Sequence, residues 1–191
     1  MNEQSFSLIP FSAPIIPNIA ITGKVSFQNH VLTLQYALVG QLEDVFLPPA
    51  SPNPGRKEEL WKSTCFEFFL AIEDHPDYWE FNLSPSGDWN VYHMDAYRRV
   101  GFKEETSIQR LQFEAHKEAE IFRLNSSVDL KSILRGNKPL EIGITAIVQT
   151  KGGNETYWAL THPAPFPDFH LRAGFIVELE RQASLVRPGK R

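Results

Sequence analysis

Trp61-Lys-Ser-Thr-Cys-Phe-Glu-Phe-Phe-Leu70 and Tyr78-Trp-Glu-Phe-Asn-Leu-Ser-Pro-Ser-Gly-Asp-Trp-Asn-Val-Tyr92 decide the fold. Both runs are dense in aromatic residues, which favour strands. Ile72-Glu-Asp-His-Pro-Asp77 separates them as a loop, and Ser84-Pro-Ser-Gly-Asp88 makes a tight turn inside the second. The pattern predicts three consecutive antiparallel strands. Side chains alternate along a strand, so parity assigns faces. Phe66, Phe68, Leu70, Ile72, Trp79, Phe81, Leu83, Trp89 and Val91 form an all-apolar set, which is the expected core face. Cys65, Glu67, Phe69, Tyr78, Glu80, Asn82, Asn90, Tyr92 and Met94 fall on the other. Folding about the two turn centres sets Glu67 beside Asn82, Asn82 beside Asn90, Phe69 beside Glu80, and Glu80 beside Tyr92.

Working outward, Val25 and Phe27 alternate with polar residues, and Val31-Leu-Thr-Leu-Gln-Tyr-Ala-Leu38 alternates again. Asn29 and His30 between them signal a hairpin. Pro48-Pro-Ala-Ser-Pro-Asn-Pro-Gly55 reads as a stiff loop, and Arg56-Lys-Glu-Glu-Leu-Trp61 as a short helical turn. Further strands are expected at 110–116, 119–125, 139–149, 155–161 and 174–180. Ser126-Ser-Val-Asp-Leu-Lys-Ser-Ile-Leu-Arg-Gly136 carries a serine start, Asp129 in its first turn and a glycine stop, and reads as one short crossover helix. Residues 1–19 are expected as an extended, proline-containing lead-in, 20–180 as the domain, and 181–191 as a flexible basic tail. About ten strands without βαβ alternation describe an all-β, antiparallel β-sandwich.

The chain has 191 residues, enough for one substantial core, and 42% of them are hydrophobic, so it is globular. A net charge of −4 points away from nucleic acid as a partner. Cys65 is the only cysteine, so an intrachain disulfide and a cysteine-based zinc site are excluded. No secretory signal and no apolar run long enough for a membrane helix is read, which gives the expectation of a cytoplasmic protein without a membrane partner. Oligomeric state is not legible.

Polar residues among aromatics on the second face fit two readings. The face is either solvated, where such residues belong, or it lines a concave pocket. In a pocket, carboxylates and amides exchange hydrogen bonds with sugar hydroxyls while rings cover the apolar faces of a pyranose. Trp79 and Trp89 belong to the core by parity, and Trp61 and Trp158 are not assigned by it. The candidate ligand-binding residues are Arg56, Trp61, Glu67, Glu80, Asn82, Asn90, Tyr92, Arg98, Asp168 and His170. Arg56 and Arg98 are the cations available to pair with Glu67, Glu80 or an acidic ligand group. Asp168 and His170 sit in the proline-stiffened loop Thr161-His-Pro-Ala-Pro-Phe-Pro-Asp-Phe-His170. The alternative use of these two is local, with Asp168 capping a turn and His170 bonding to backbone. They are two candidate metal ligands, too few to define a metal site.

Leu60-Trp61, Thr64-Cys-Phe-Glu-Phe-Phe-Leu70, Tyr78 to Tyr92, Tyr97-Arg98, Tyr157-Trp-Ala-Leu-Thr-His-Pro163 and Pro167-Asp-Phe-His170 together resemble the DOMON-like domains related to family-9 carbohydrate-binding modules. The resemblance runs from about residue 20 to 180, with order and spacing kept, toward a stand-alone group of such domains. It implies a jelly-roll sandwich of about ten strands with a ligand pocket. Family-9 modules hold a sugar between two tryptophans, a clamp that does not map onto Trp61, Trp79, Trp89 or Trp158. The wider superfamily includes haem-binding domains with Met and His axial ligands, for which Met94, His162 and His170 are the available residues.

The reading that results is a single sandwich domain binding a small ligand, a saccharide first, with no cofactor, no metal and no chemistry of its own. Two alternatives stand beside it. One is a carbohydrate-active enzyme using Glu67 and Glu80, which needs carboxyls about 5–9.5 Å apart across the scissile bond. The other is a haem-binding redox domain.

Overall fold

A computed structural model describes residues 2–97 and 102–181. Among them are twelve strands: β1 (Asn2–Pro10), β2 (Ile19–Gln28), β3 (Val31–Gly40), β4 (Cys65–Ile72), β5 (Tyr78–Leu83), β6 (Trp89–Met94), β7 (Lys103–Glu104), β8 (Gln112–Glu118), β9 (Ile121–Asp129), β10 (Leu140–Gln149), β11 (Glu155–Ala159) and β12 (Val177–Leu179). All neighbouring strands pair antiparallel, in the order β7-β6-β5-β4-β10-β11-β1-β2-β3-β9-β8, with β12 also on β10. The path curls into two layers, an antiparallel β-sandwich. β1 stitches the layers: residues 2–8 pair with β2, and Ile9 and Pro10 with β11. The segment read as a lead-in therefore contains a strand at the centre of the path. Phe6 and Leu8 turn into the core from it, at period two.

The core lies between the layers. Phe66, Phe68, Leu70, Ile72, Trp79, Phe81, Leu83, Trp89 and Val91 all belong to it, facing Ile21, Val25, Leu34, Tyr36, Leu38, Phe122 and Leu124 from the other sheet. Phe68 and Phe81 stack with ring centroids 4.2 Å apart. Trp158 joins this core. The hairpin turn at Asn29 and His30 has both residues at positive φ, 51° and 67°, the backbone of a two-residue type I′ turn.

The expected crossover helix does not form. Ser126–Asp129 continue β9, paired with Val31–Leu34 of β3. Leu124, Ser126, Val128 and Leu130 are buried at every second position, a strand's period, and this alternation outweighs the capping signals. Asp129 instead accepts a hydrogen bond from the Lys131 amide (2.8 Å), and one tight turn follows over 130–134. Among the described residues helical geometry is confined to three single 3-10 turns, Leu42–Asp44, Leu60–Lys62 and Arg172–Gly174. Residues 182–191 and Arg98 lie outside the described residues.

Every residue of β4 and β5 is buried, on both faces. One face packs against the other sheet. The opposite face carries a second apolar cluster of Phe69, Ala71, Tyr78, Tyr92, Met94 and Phe175, with Trp61 and Phe169 packed against it. The layer over it is the loop from β11 to β12. Arg172 pins that loop, donating to Glu141 and to the carbonyls of Ile72 (3.0 Å) and His75 (3.1 Å). Gly143 on β10 makes room for it: a Cβ there would come within 2.7 Å of the Phe175 ring.

Candidate functional site

The register on β4, β5 and β6 matches the expected pairing: Glu67 faces Asn82, Asn82 faces Asn90, Phe69 faces Glu80, and Glu80 faces Tyr92. On the far side of β4, Thr145 pairs with Glu67 and Ile147 with Cys65, and Tyr157 of β11 pairs with Ile147. Over this face lies a cavity of about 320 Å³. Glu67, Phe69, Glu80, Tyr92, Met94, Ile147 and Tyr157 line it from the strands. Trp61, Phe102, Pro167, Phe169 and His170 line it from the surrounding turns and loops. The polar face is thus not a solvated surface: Glu67 is 2% exposed and Glu80 8%.

Each polar group on this face has a distinct environment. Glu80 Oε1 accepts from Asn82 Nδ2 at 2.8 Å, and His170 Nε2 stands 3.9 Å from Glu80 Oε2. Glu67 Oε2 accepts from Thr145 Oγ1 at 3.4 Å, whereas Glu67 Oε1, fully buried, has no hydrogen-bond partner among the described residues. Burial pushes the Glu80 carboxyl up to about 7, partly offset by the Asn82 bond. Burial also pushes Glu67 well above the ordinary carboxylate range, and the charge of Glu80 pushes it in the same direction. The Tyr92 hydroxyl is pushed up to about 12, mainly by burial. Cys65 is buried beside this pair, with its thiol 3.6 Å from Asn82 Oδ1, and burial pushes its pKa up, which makes it a poor nucleophile.

Of the predicted residues, Trp61, Glu67, Glu80, Tyr92 and His170 meet at the cavity. Asn82 and Asn90 lie beside it and support it. Asn82 holds Glu80, and Asn90 Nδ2 donates to the Tyr92 hydroxyl at 3.1 Å. Asp168 likewise holds the loop, accepting from Tyr97 Oη (2.6 Å) and from the His170 amide (3.1 Å). Arg56 does not pair with Glu67 or Glu80. It donates to Asn90 Oδ1 (2.7 Å) and to the carbonyls of Glu105 and Ile108, lies 3.6 Å from Glu104, and covers Trp89 at 4.4 Å. The reason is reach: Arg56 bridges in parallel to Trp89 on the far side of the meander, next to the chain after β7. Arg98 lies outside the described residues.

Sequence reasoning missed Phe102, Tyr157, Pro167 and Phe169 as lining residues. They come from three separate places in the chain, and only the aromatic character of the segments hinted at them. Met94 and His170 both line the cavity, but Met94 packs among Phe69, Tyr78, Tyr92 and Phe175, and His170 Nδ1 lies 3.0 Å from the Tyr78 hydroxyl. His162 is turned to the Ile9 carbonyl, 2.9 Å away. Among the described residues no three His, Cys, Asp or Glu side chains converge as a metal site would.

No family model matches the sequence, and no curated protein matches it. Solved structures do. A candidate carbohydrate-binding protein from Bacteroides uniformis superposes with a TM-score of 0.70 at 15% identity, over 93% of this chain and 85% of that one. A family-9 carbohydrate-binding module from Caldicellulosiruptor kristjanssonii in complex with cellotriose gives 0.55 at 12% identity, over 97% and 88%. Such a module from the same organism in complex with glucose gives 0.53 at 9% identity, over 93% and 84%. At these identities the likeness shows a common fold, the sandwich of the family-9 modules.

Proposed function

We propose that the cavity over β4–β6 binds a saccharide, and that the chain acts as a binding module without chemistry of its own. One observation carries this reading: the buried carboxyl groups of Glu67 and Glu80, with Asn82 and Asn90 supporting the face from beside it, line a cavity whose other walls are mostly aromatic rings. Sugars present hydroxyl edges and apolar ring faces, and this arrangement has a counterpart for each. The volume, about 320 Å³, is at the small end of ligand pockets and suits one pyranose unit, free or at the end of a longer chain. The solved structures that share the fold and contain cellotriose or glucose support the ligand class.

The electrostatics favour binding over hydrolysis. A glycosidase separates its two carboxyls, one protonated acid and one ionised partner, by giving them contrasting environments. Here Glu67 and Glu80 are both pushed upward, and burial is the leading cause for each. The test is a panel of neutral, amino and acidic mono- and oligosaccharides, read by thermal shift and calorimetry. At least one should raise Tm in a dose-dependent way. Trp61→Ala and Phe169→Ala should each weaken that binding by about tenfold or more, the scale of a lost stacking ring. A panel that yields neither shift nor heat sinks the saccharide reading.

A further inference from the structure

We propose that the saccharide carries a primary ammonium group, an unacetylated amino sugar, and that this group is held between Glu67 and Glu80. The inference rests on the saccharide reading above and narrows it. Two buried carboxyls sit diagonally on adjacent strands, since Glu67 pairs with Asn82 and Phe69 with Glu80. Both line the same cavity. Among the described residues no lysine or arginine lines it. His170 is, among the described residues, the basic side chain that lines the cavity, 3.9 Å from Glu80. The site therefore brings two buried carboxyls together with no lysine or arginine against them among the described residues.

Uncompensated carboxylates are costly to bury. A neutral sugar hydroxyl donates one hydrogen bond and leaves the charges in place. An ammonium group supplies three donors and a full charge. It also offers a donor to Glu67 Oε1, the buried side-chain acceptor that has no hydrogen-bond partner among the described residues. The remaining walls agree with a cation. Trp61, Phe69, Tyr92, Phe102, Tyr157 and Phe169 present rings to the cavity, and ring faces attract cations as well as apolar sugar faces. The raised proton affinity of both carboxyls is the same deficit of positive charge, met by protons when no cation is bound.

The experiment compares glucosamine and its short oligomers with the N-acetylated and the neutral hydroxyl counterparts, by calorimetry on the full chain. A simple alkylammonium salt runs in parallel. The amino form should bind at least about tenfold tighter than either counterpart, and Glu67→Gln and Glu80→Gln should each remove most of that preference. Using both variants keeps the test open if one of them fails to fold. Neutral or N-acetylated sugar binding as tightly as the amino form overturns the inference and leaves the saccharide reading standing. Binding of the alkylammonium salt with no sugar of any kind overturns both, as does the absence of binding throughout.

Discussion

A buried carboxyl whose neighbours supply few donors holds its proton longer than one in water, and this ties Glu80 to the stability of the fold. Its ordinary value of 4.5 rises to about 7 in the folded chain. Between those limits the folded state binds a proton that the unfolded state has released, so stability falls as pH rises through that window. Below pH 4.5 the contribution is fully present, and above about pH 7 it is gone. The magnitude is on the order of 3 kcal/mol from the proton affinity alone. Glu67 acts with the same sign. Tm is therefore expected to decline from pH 5 to pH 7.5 in the native chain, and to decline less in Glu80→Gln, which retains the shape without the charge. If calorimetry gives parallel Tm profiles for the two proteins, the carboxyl is not titrating in that range. The carboxylates themselves were legible in the sequence because parity alone separates Glu67 and Glu80 from the aromatic residues that flank them. Their burial was not legible. It depends on Pro167, Phe169 and Phe175, which close over the face from a loop about 100 residues downstream. No local pattern encodes that closure.

At the scale of the element, the strands that build the site were readable because two independent signals agreed. Alternation gave the faces, and short turns of recognisable chemistry gave the register. The Ser84–Asp88 turn shows why: Ser86 Oγ bonds to Ser84 Oγ and Asp88 Oδ2, and Gly87 takes a φ of 94°, so the turn has little freedom to slip. Where the signals disagreed, alternation won, as at Ser126–Asp129. The missed strand β1 has the same alternation in Ser5-Phe-Ser-Leu8, but its flanking prolines suggested an extended lead-in packed on the domain without strand pairing. The β2–β3 hairpin carries a measurable local conflict. His30 occupies a left-handed conformation with φ 67°, a region that costs a residue with a Cβ roughly 1–2 kcal/mol. Glycine avoids that cost and loses part of the gain to its freer unfolded chain. His30→Gly is expected to stabilise the protein by between about 0.3 and 1 kcal/mol in urea unfolding. A destabilised variant would mean that the turn is not of the primed type.

At the scale of the molecule, the continuity of the sandwich depends on one strand. Among the described residues β7 and β8 end the strand path, each paired on one edge, whereas β1 sits between β11 and β2 and joins the two layers. Its removal would open two edges at once in the interior of the path, and unpaired edges invite association with other chains. It would also uncover the space filled by Phe6 and Leu8. Phe6 sits edge-on to Tyr36 at 5.5 Å and lies so close over Gly23 that a Cβ there would meet its ring at 2.4 Å. Truncating Phe6 to alanine should cost about 3–5 kcal/mol, the range for a buried phenylalanine. The hydroxyl of Tyr36 donates to the Glu67 carbonyl at 2.7 Å, so the disturbance reaches the strand that carries the binding face. Deleting residues 1–11 is therefore expected to abolish cooperative unfolding and to produce aggregation in solution, with ligand binding lost alongside. Phe6→Ala should remain folded, with a lower Tm and weakened binding. A deletion variant that stays monomeric and unfolds with an unchanged midpoint would mean that the two layers hold together without β1.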